Sequence, residues 1–118
     1  MQSPEHQQMK SALKSILKGF GFDSVFLEEL RCDALAFRKG QRVSFEIENS
    51  VRNVFPNLTR NMVSGCEYHI IVCPDFQALG EVSRLLARQL PQDLRSKVGL
   101  CTFETLHMLS NQTTKENT

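Results

Sequence analysis

The 118-residue sequence predicts a single α/β domain in which helices flank a mixed central sheet. Segments with a hydrophobic period of two residues alternate with segments whose apolar residues recur at helical spacing. The early strand segments follow one another directly, which favours hairpins, whereas helices separate the later ones, which favours parallel crossovers. A hydrophobic content of 41%, with eight Phe, is typical of a chain that folds around a core.

The predicted order of elements is α-β-β-β-α-β-α-β. The segments are a helix at 3–21, strands at 23–30, 31–38 and 42–50, a helix at 54–65, a strand at 68–75, a helix at 76–91 and a strand at 97–106. Pro56 lies in the first turn of the second helix and Gly65 ends it. Asp75 caps the third helix and Pro91 ends it. Residues 1–110 form one predicted domain, and the polar residues 111–118 a disordered tail.

Composition limits the function classes. The formal net charge of +1 does not by itself indicate a nucleic-acid partner, although a local basic patch would suffice for one. No apolar run is long enough to span a membrane, and the first ten residues lack the apolar core of a signal peptide. The four cysteines, which are Cys32, Cys66, Cys73 and Cys101, form no CxxC pair. They predict buried, reduced thiols in a cytoplasmic protein.

A predicted hairpin brings acidic residues of two strands together. A loop of two residues, Lys39 and Gly40, or one of four residues pairs Phe37 with Arg42. Either loop places Asp33 opposite Glu46 on the same face of the sheet, with Cβ atoms about 4.5–5.5 Å apart. A three-residue loop would break this parity unless a bulge restored it.

These acids have two interpretations. In RVSFEIENS, residues 42–50, Glu46 and Glu48 share one face of the strand, and Asp33 lies opposite. Acidic residues are common on a solvated strand face. Alternatively, two carboxylates on adjacent strands suit Mg²⁺ or Mn²⁺, which polarises a phosphodiester and lowers the pKa of bound water. Carboxylates this close also predict a raised pKa for at least one of them when no cation is bound.

The joint pattern of motif and element order resembles the PD-(D/E)xK nuclease superfamily, the restriction-endonuclease-like fold. CDALAFRKGQRVSFEIE supplies Asp33 as the first acid and Glu46 as the second. The resemblance covers most of residues 5–103 and implies an αβββαβαβ core. It also implies a divalent-metal-dependent nuclease, with DNA favoured over RNA, in which Asp33 and Glu46 bind the metal. A core of this size in that family often works as a dimer or within a larger assembly.

The sequence departs from the family pattern at the lysine of ExK, which is Glu48 here, and Cys32 replaces the Pro of PD. Glu48 can act as a further metal ligand or a general base. The resemblance to E-x-E branches implies that a basic residue on the following helix supplies the positive charge, and Arg60 stands there. Arg60 stabilises phosphate charge in this interpretation, whereas a solvated helix residue is the ordinary alternative. Asn57, one turn earlier, is placed to bond phosphate or Glu48.

Other polar residues are weaker candidates. Glu28 and Glu29 lie on the first strand, where an exposed edge is the ordinary explanation. His6 opens the first helix, and residues in that position are usually solvated. Lys10, Lys14 and Lys18 form a stripe opposite the apolar face, and Arg84 and Arg88 repeat that spacing later. Such stripes are usually solvated, but they also follow phosphates, and Lys14 is the candidate substrate contact.

Three functions therefore remain open. The first is a Mg²⁺- or Mn²⁺-dependent nuclease. The second is a catalytically degenerate relative that binds nucleic acid or a protein partner. The third is an α/β interaction domain whose acidic residues are solvated.

Overall fold

The computed structural model describes residues 4–28 and 32–116. Its helices are α1 (Pro4–Lys18), α2 (Val54–Val63), α3 (Phe76–Gln89) and α4 (Phe103–Glu116). Its strands are β1 (Ser24–Leu27), β2 (Ala34–Arg38), β3 (Gln41–Ile47), β4 (Tyr68–Cys73) and β5 (Val98–Thr102). A 3₁₀ helix, Gln92–Lys97, precedes β5 and was not predicted.

The five strands form one mixed sheet in the order β1-β2-β3-β4-β5. The first three strands are antiparallel, and β3, β4 and β5 are parallel. Hairpins therefore join the early strands and helical crossovers join the later ones. The predicted α/β class, with a mixed sheet flanked by helices, is confirmed.

Helices cover both faces of this sheet. On one face, Leu13 and Leu17 of α1 and Leu106 of α4 pack in the same cluster as Ala34 and Phe45 of the sheet. On the other, α2 and α3 bury a cluster with β4 whose members include Val54, Leu58, Ile71, Val82 and Leu86. Because β3 has a helical layer on each side, all five of its residues from Val43 to Ile47 are buried.

The hairpin between β2 and β3 has the predicted two-residue loop and register. Lys39 and Gly40 both have positive φ, 52° and 81°, as a primed turn requires. Phe37 pairs with Arg42, and the pairing continues to Ala34 opposite Phe45. Asp23 Oδ2 accepts a hydrogen bond of 2.9 Å from the Lys39 amide, which supports the strained lysine. This register brings Asp33, just before β2, next to Glu46.

The interpretation of Glu46 as a residue of a solvated strand face is wrong. Ser44 and Glu46 are buried, with 1% and 7% of their surface exposed. Ser44 Oγ lies 3.1 Å from His69 Nδ1 on the neighbouring strand, and α2 packs over this face. A strand covered on both faces can still alternate apolar and polar residues when the polar ones find partners.

Element boundaries differ from the prediction at both ends of the chain. Strand β1 ends at Leu27 because Glu28 adopts a φ of 59°, outside the extended region. Glu29 lies outside the described residues. Helix α4 runs to Glu116, although residues 111–116 were expected in a tail, and residues 117–118 lie outside the described chain. Thr102 Oγ1 caps the start of α4 by accepting a 3.1 Å hydrogen bond from the Thr105 amide.

No described helix has the length and apolar character that a membrane crossing requires.

Candidate active site

Asp33 and Glu46 brace the open end of the β2–β3 hairpin. The Asp33 amide donates a 3.1 Å hydrogen bond to Glu46 Oε1. The Ile47 amide donates a 2.8 Å hydrogen bond to Asp33 Oδ2. These bonds continue the strand pairing through side chains beyond its last backbone pair, Ala34 with Phe45. They hold the two carboxylates in contact with each other's strand, as the hairpin register predicts.

Glu48 extends the cluster from the end of β3. Its amide donates to the Val72 carbonyl at 3.0 Å, which carries the parallel pairing with β4 one residue further. Its Oε2 accepts a 3.0 Å hydrogen bond from Asn57 Nδ2 of α2. Asp33, Glu46 and Glu48 are all buried, with 6–8% of their surface exposed. Three buried carboxylates on adjoining backbone segments carry a high desolvation cost, so each has to be compensated locally.

Arg60 is the first compensating cation. Its Nη2 lies 2.9 Å from Glu46 Oε1, and its Nε donates to Asn61 Oδ1 at 3.4 Å. The Arg60 side chain keeps 30% of its surface exposed, so part of the guanidinium faces the cavity described below. The predicted orientation of Arg60 toward the Glu46 and Glu48 face is confirmed, and its role in turnover stays a prediction.

Lys10 is a second compensating cation, and its predicted place on the solvated face of α1 is wrong. The Lys10 side chain is only 5% exposed. Its Nζ lies 2.8 Å from Glu28 Oε1 and 3.4 Å from Asp33 Oδ1. His6, one turn earlier on α1, places Nε2 3.1 Å from the same Asp33 oxygen. Helix α1 therefore contributes two side chains to the cluster, and Glu28 also reaches it from the end of β1.

Burial and mutual repulsion dominate the electrostatics of the acids. Burial, followed by the neighbouring charge of Asp33, raises the pKa of Glu46 to about 7, although Arg60 opposes the shift. Burial also raises the pKa of Glu48, against the hydrogen bond from Asn57. The direction agrees with the predicted rise in pKa, but burial contributes more to it than the closeness of the carboxylates. Near neutral pH and without added cations, the Glu46 carboxyl therefore holds a proton in a large fraction of molecules.

The cluster opens into a cavity of about 380 Å³ between the start of α1 and α2. Polar side chains dominate its wall: His6, Asp33, Glu46, Glu48, Asn49, Asn53, Asn57 and Arg60. We call this space the acidic cavity. Of the residues predicted to act together, Asp33, Glu46, Glu48, Asn57 and Arg60 all line it. Lys14, the candidate substrate contact, is half-buried on α1 and is not among the described residues of its wall.

The side chains do not converge as a finished metal cage. Within residues 4–28 and 32–116, no group of three or more His, Cys, Asp or Glu is arranged to hold an ion. One reason is that Glu46 Oε1 is engaged by Arg60 and by the Asp33 amide. Two other oxygens, Glu46 Oε2 and Glu48 Oε1, accept no hydrogen bond from any described residue.

The charges and donors nevertheless fit a hard divalent cation. When ionised, the carboxylates of Glu28, Asp33, Glu46 and Glu48 exceed the fixed cations Lys10 and Arg60 by two negative charges. Mg²⁺ keeps several waters and typically uses one or two protein carboxylates, so it needs no cage made entirely of protein. Asp33 and Glu46 would hold such an ion, and Glu48 beside them would be a further ligand.

The four cysteines are free thiols. Cys32, Cys66 and Cys73 are buried, as the sequence predicts, whereas Cys101 is only half-buried. Burial raises the pKa of Cys32, next to Asp33, to about 12. Without a metal ion, a thiol this resistant to ionisation stays protonated at neutral pH.

Comparison of the chain with family models, with curated proteins and with solved structures found no match.

Proposed function

We propose that this domain is a divalent-metal-dependent nuclease that hydrolyses phosphodiester bonds, with DNA favoured over RNA as substrate. The observation that carries the proposal is the buried cluster of Asp33, Glu46 and Glu48, which opens into a polar cavity beside Arg60 and Lys10. Buried carboxylates with raised pKa values in a cleft are typical of catalytic sites.

The fold supports the proposal in its element order. An α-β-β-β-α-β-α-β succession with an acid before β2 and a second acid near the end of β3 resembles the restriction-endonuclease-like core. Membership in that superfamily is part of the proposal. The hairpin register of this chain brings Asp33 and Glu46 together independently of the resemblance.

The chain's own residues divide the work as follows. A bound Mg²⁺ or Mn²⁺ would supply Lewis-acid polarisation of the phosphodiester and a water of lowered pKa. Asp33 and Glu46 hold the ion. Glu48, kept in place by Asn57, would assist as a ligand or accept the proton of the attacking water through Oε1. Asn57 and Arg60 contact the phosphate from α2.

Arg60 and Lys10 supply the positive charge that the lysine of an E-x-K motif would provide, because that position is Glu48 in this chain. Arg60 is partly exposed in the acidic cavity and turns from Glu46 toward the phosphate as negative charge develops there. Lys10 is too buried to leave the cluster. From its position beside Asp33, its charge makes the electrostatic potential at the reacting phosphate less negative. Arg60 therefore contacts the phosphate directly, and Lys10 stabilises its negative charge from a fixed position.

The degenerate binding module is the second candidate, and one observation favours it. Lys10 and Arg60 already pair with Asp33 and Glu46, as internal cations would in a site that no longer binds metal. In that case the acidic cluster is a closed ion-pair network, and nucleic acid or a protein partner binds elsewhere.

The deciding experiment is a cleavage assay on labelled single-stranded, duplex and branched DNA and on RNA, with Mg²⁺, Mn²⁺ or EDTA. We expect cation-dependent cleavage by the wild type, its loss in Glu46→Gln and its retention in Glu67→Gln, an exposed glutamate on the loop before β4. We also expect Mn²⁺ to raise the melting temperature of the wild type by linkage. Nucleic-acid binding without cleavage under any cation would favour the degenerate module instead.

A further inference from the structure

A second and larger cavity adjoins the acidic one. It has a volume of about 750 Å³ and lies between α1 and the start of α4. Met9 and Asn49 line both cavities, so the two spaces lie side by side just beyond the end of β3. We call the larger one the α1–α4 cleft. Its volume falls in the range of about 300–1,000 Å³ that is usual for small-molecule sites.

The lining of the α1–α4 cleft selects the chemistry of its occupant. Its apolar surface comes from Met9, Ala12, Ile16, Pro74 and Phe103. Polar groups at the wall are the amides of Gln8 and Asn49, the His107 ring and the carboxylates of Glu5 and Glu104. No Lys or Arg of the described chain belongs to this wall.

Charge excludes the nucleic-acid backbone from this space. Glu5 and Glu104 repel a phosphate, and no Lys or Arg among the described wall residues offsets them. The part of a ligand that enters this space therefore carries no negative charge, and it meets apolar side chains at Met9, Ile16 and Phe103 and hydrogen-bonding groups at the amides. A nucleobase has both properties, and its donor and acceptor edges match a carboxamide.

We infer that the α1–α4 cleft binds one unpaired nucleobase beside the scissile phosphate, so that the substrates are single strands or unpaired ends. The inference rests on the proposed function, because it assigns the substrate class of the same site. Arg60 enters the acidic cavity from α2 and Met9 enters it from α1. The backbone therefore passes on the α2 side and the base turns toward α1. A base within a duplex is stacked and paired, so it presents neither face to Phe103.

The test is an abasic scan with a cleft-filling variant. Single-stranded 12-nucleotide oligomers carry one tetrahydrofuran abasic site at successive positions. Affinity is measured by fluorescence anisotropy in Ca²⁺, and cleavage in Mn²⁺. Ala12→Trp fills the cleft from an exposed position of α1, and Ala87→Trp is its control at an exposed position of α3. Circular dichroism verifies that both variants remain folded.

We expect one or two adjacent abasic positions, at a fixed distance from the cut bond, to weaken binding by about 5- to 100-fold. Ala12→Trp should weaken binding of the intact oligomer by a similar factor and remove the position dependence, whereas Ala87→Trp should match the wild type. A fully paired duplex should bind more weakly than its single strand.

Other results separate this inference from the proposed function. If cleavage does not depend on the abasic position, or if Ala12→Trp behaves as the wild type does, the cleft does not bind a base. The proposed nuclease activity is then unaffected. Position-dependent binding without cleavage supports the cleft and overturns the nuclease. If Ala12→Trp leaves the abasic scan unchanged and instead converts a dimer to a monomer in sedimentation, the cleft belongs to a second copy and the inference is wrong.

Discussion

The ammonium of Lys10 lies 3.4 Å from Asp33 Oδ1, inside the acidic cluster and almost completely out of solvent. A lysine on the first helix therefore contacts the acid that precedes β2. Two residues after Glu46, where the motif of the restriction-endonuclease-like fold has a lysine, this chain has Glu48. The positive charge of the site comes from two helices, α1 through Lys10 and α2 through Arg60, instead of from the strand itself.

Replacing Lys10 with methionine should destabilise the fold. Lys10→Met keeps the length and the apolar stem but leaves Asp33 with less compensation for its burial. The free energy of unfolding should fall by roughly 1–3 kcal/mol, the usual cost of depriving a buried polar group of its partner. Urea denaturation measures it. Lys18→Met, an exposed position on the same helix, should stay within about 0.5 kcal/mol of the wild type. Equal urea midpoints for Lys10→Met and Lys18→Met would show that the contacts of Lys10 with the acidic cluster do not stabilise the fold.

Removing Arg60 should separate catalysis from metal binding. Arg60→Ala deletes the cation that faces the acidic cavity, so turnover should drop by a factor on the order of 10²–10³, the usual effect of one lost charge stabiliser. Single-turnover cleavage in Mn²⁺ gives this number, and the Mn²⁺-induced rise in melting temperature should persist. Arg84→Ala on α3 is the matched control. Full activity in Arg60→Ala would reject the assignment of the phosphate contact.

Stability should depend on pH through Glu46. Its pKa of about 7 in the folded state exceeds the ordinary value of 4.5, chiefly because of burial. A raised carboxyl pKa contributes stability that is present below the unfolded value and is lost as pH rises through the folded value. In EDTA, Glu46→Gln should therefore melt several degrees above the wild type at pH 8 and close to it at pH 5. Glu67→Gln should show no such divergence. A Glu46→Gln variant that is less stable than the wild type at pH 8 would indicate that the Arg60 ion pair outweighs burial.

The parts of the site that local rules determine were predictable from the sequence. A Lys39–Gly40 turn sets the hairpin register, and that register alone brings Asp33 to Glu46. Asp75 caps α3 as predicted, with Oδ1 accepting the Ala78 amide at 2.8 Å. The resemblance to E-x-E branches suggested Arg60, and a crossover helix that packs back on the sheet predicted its orientation toward the acidic residues.

Packing between distant segments was not predictable in the same way. Lys10 was assigned to solvent because lysine is rarely buried. Its spacing did carry a signal, since Lys10, Leu13 and Leu17 are the buried residues of α1 and recur at helical intervals. The burial of Glu46 depends on α2 covering a face that alternation alone leaves open to solvent. Helix α4 extends far beyond Leu106, its one buried residue among the side chains described, so apolar periodicity gave little sign of its length.

Calorimetric titration of Mn²⁺ into the purified protein is the sharpest test of the proposed metal centre, since it measures cation binding without requiring the correct nucleic acid. The wild type and the exposed control Asp93→Asn should both give a saturable single-site isotherm, and Asp33→Asn should lose it. If the wild type binds no Mn²⁺, or if Asp33→Asn binds as the wild type does, the acidic cluster is not a metal centre and the nuclease account is contradicted.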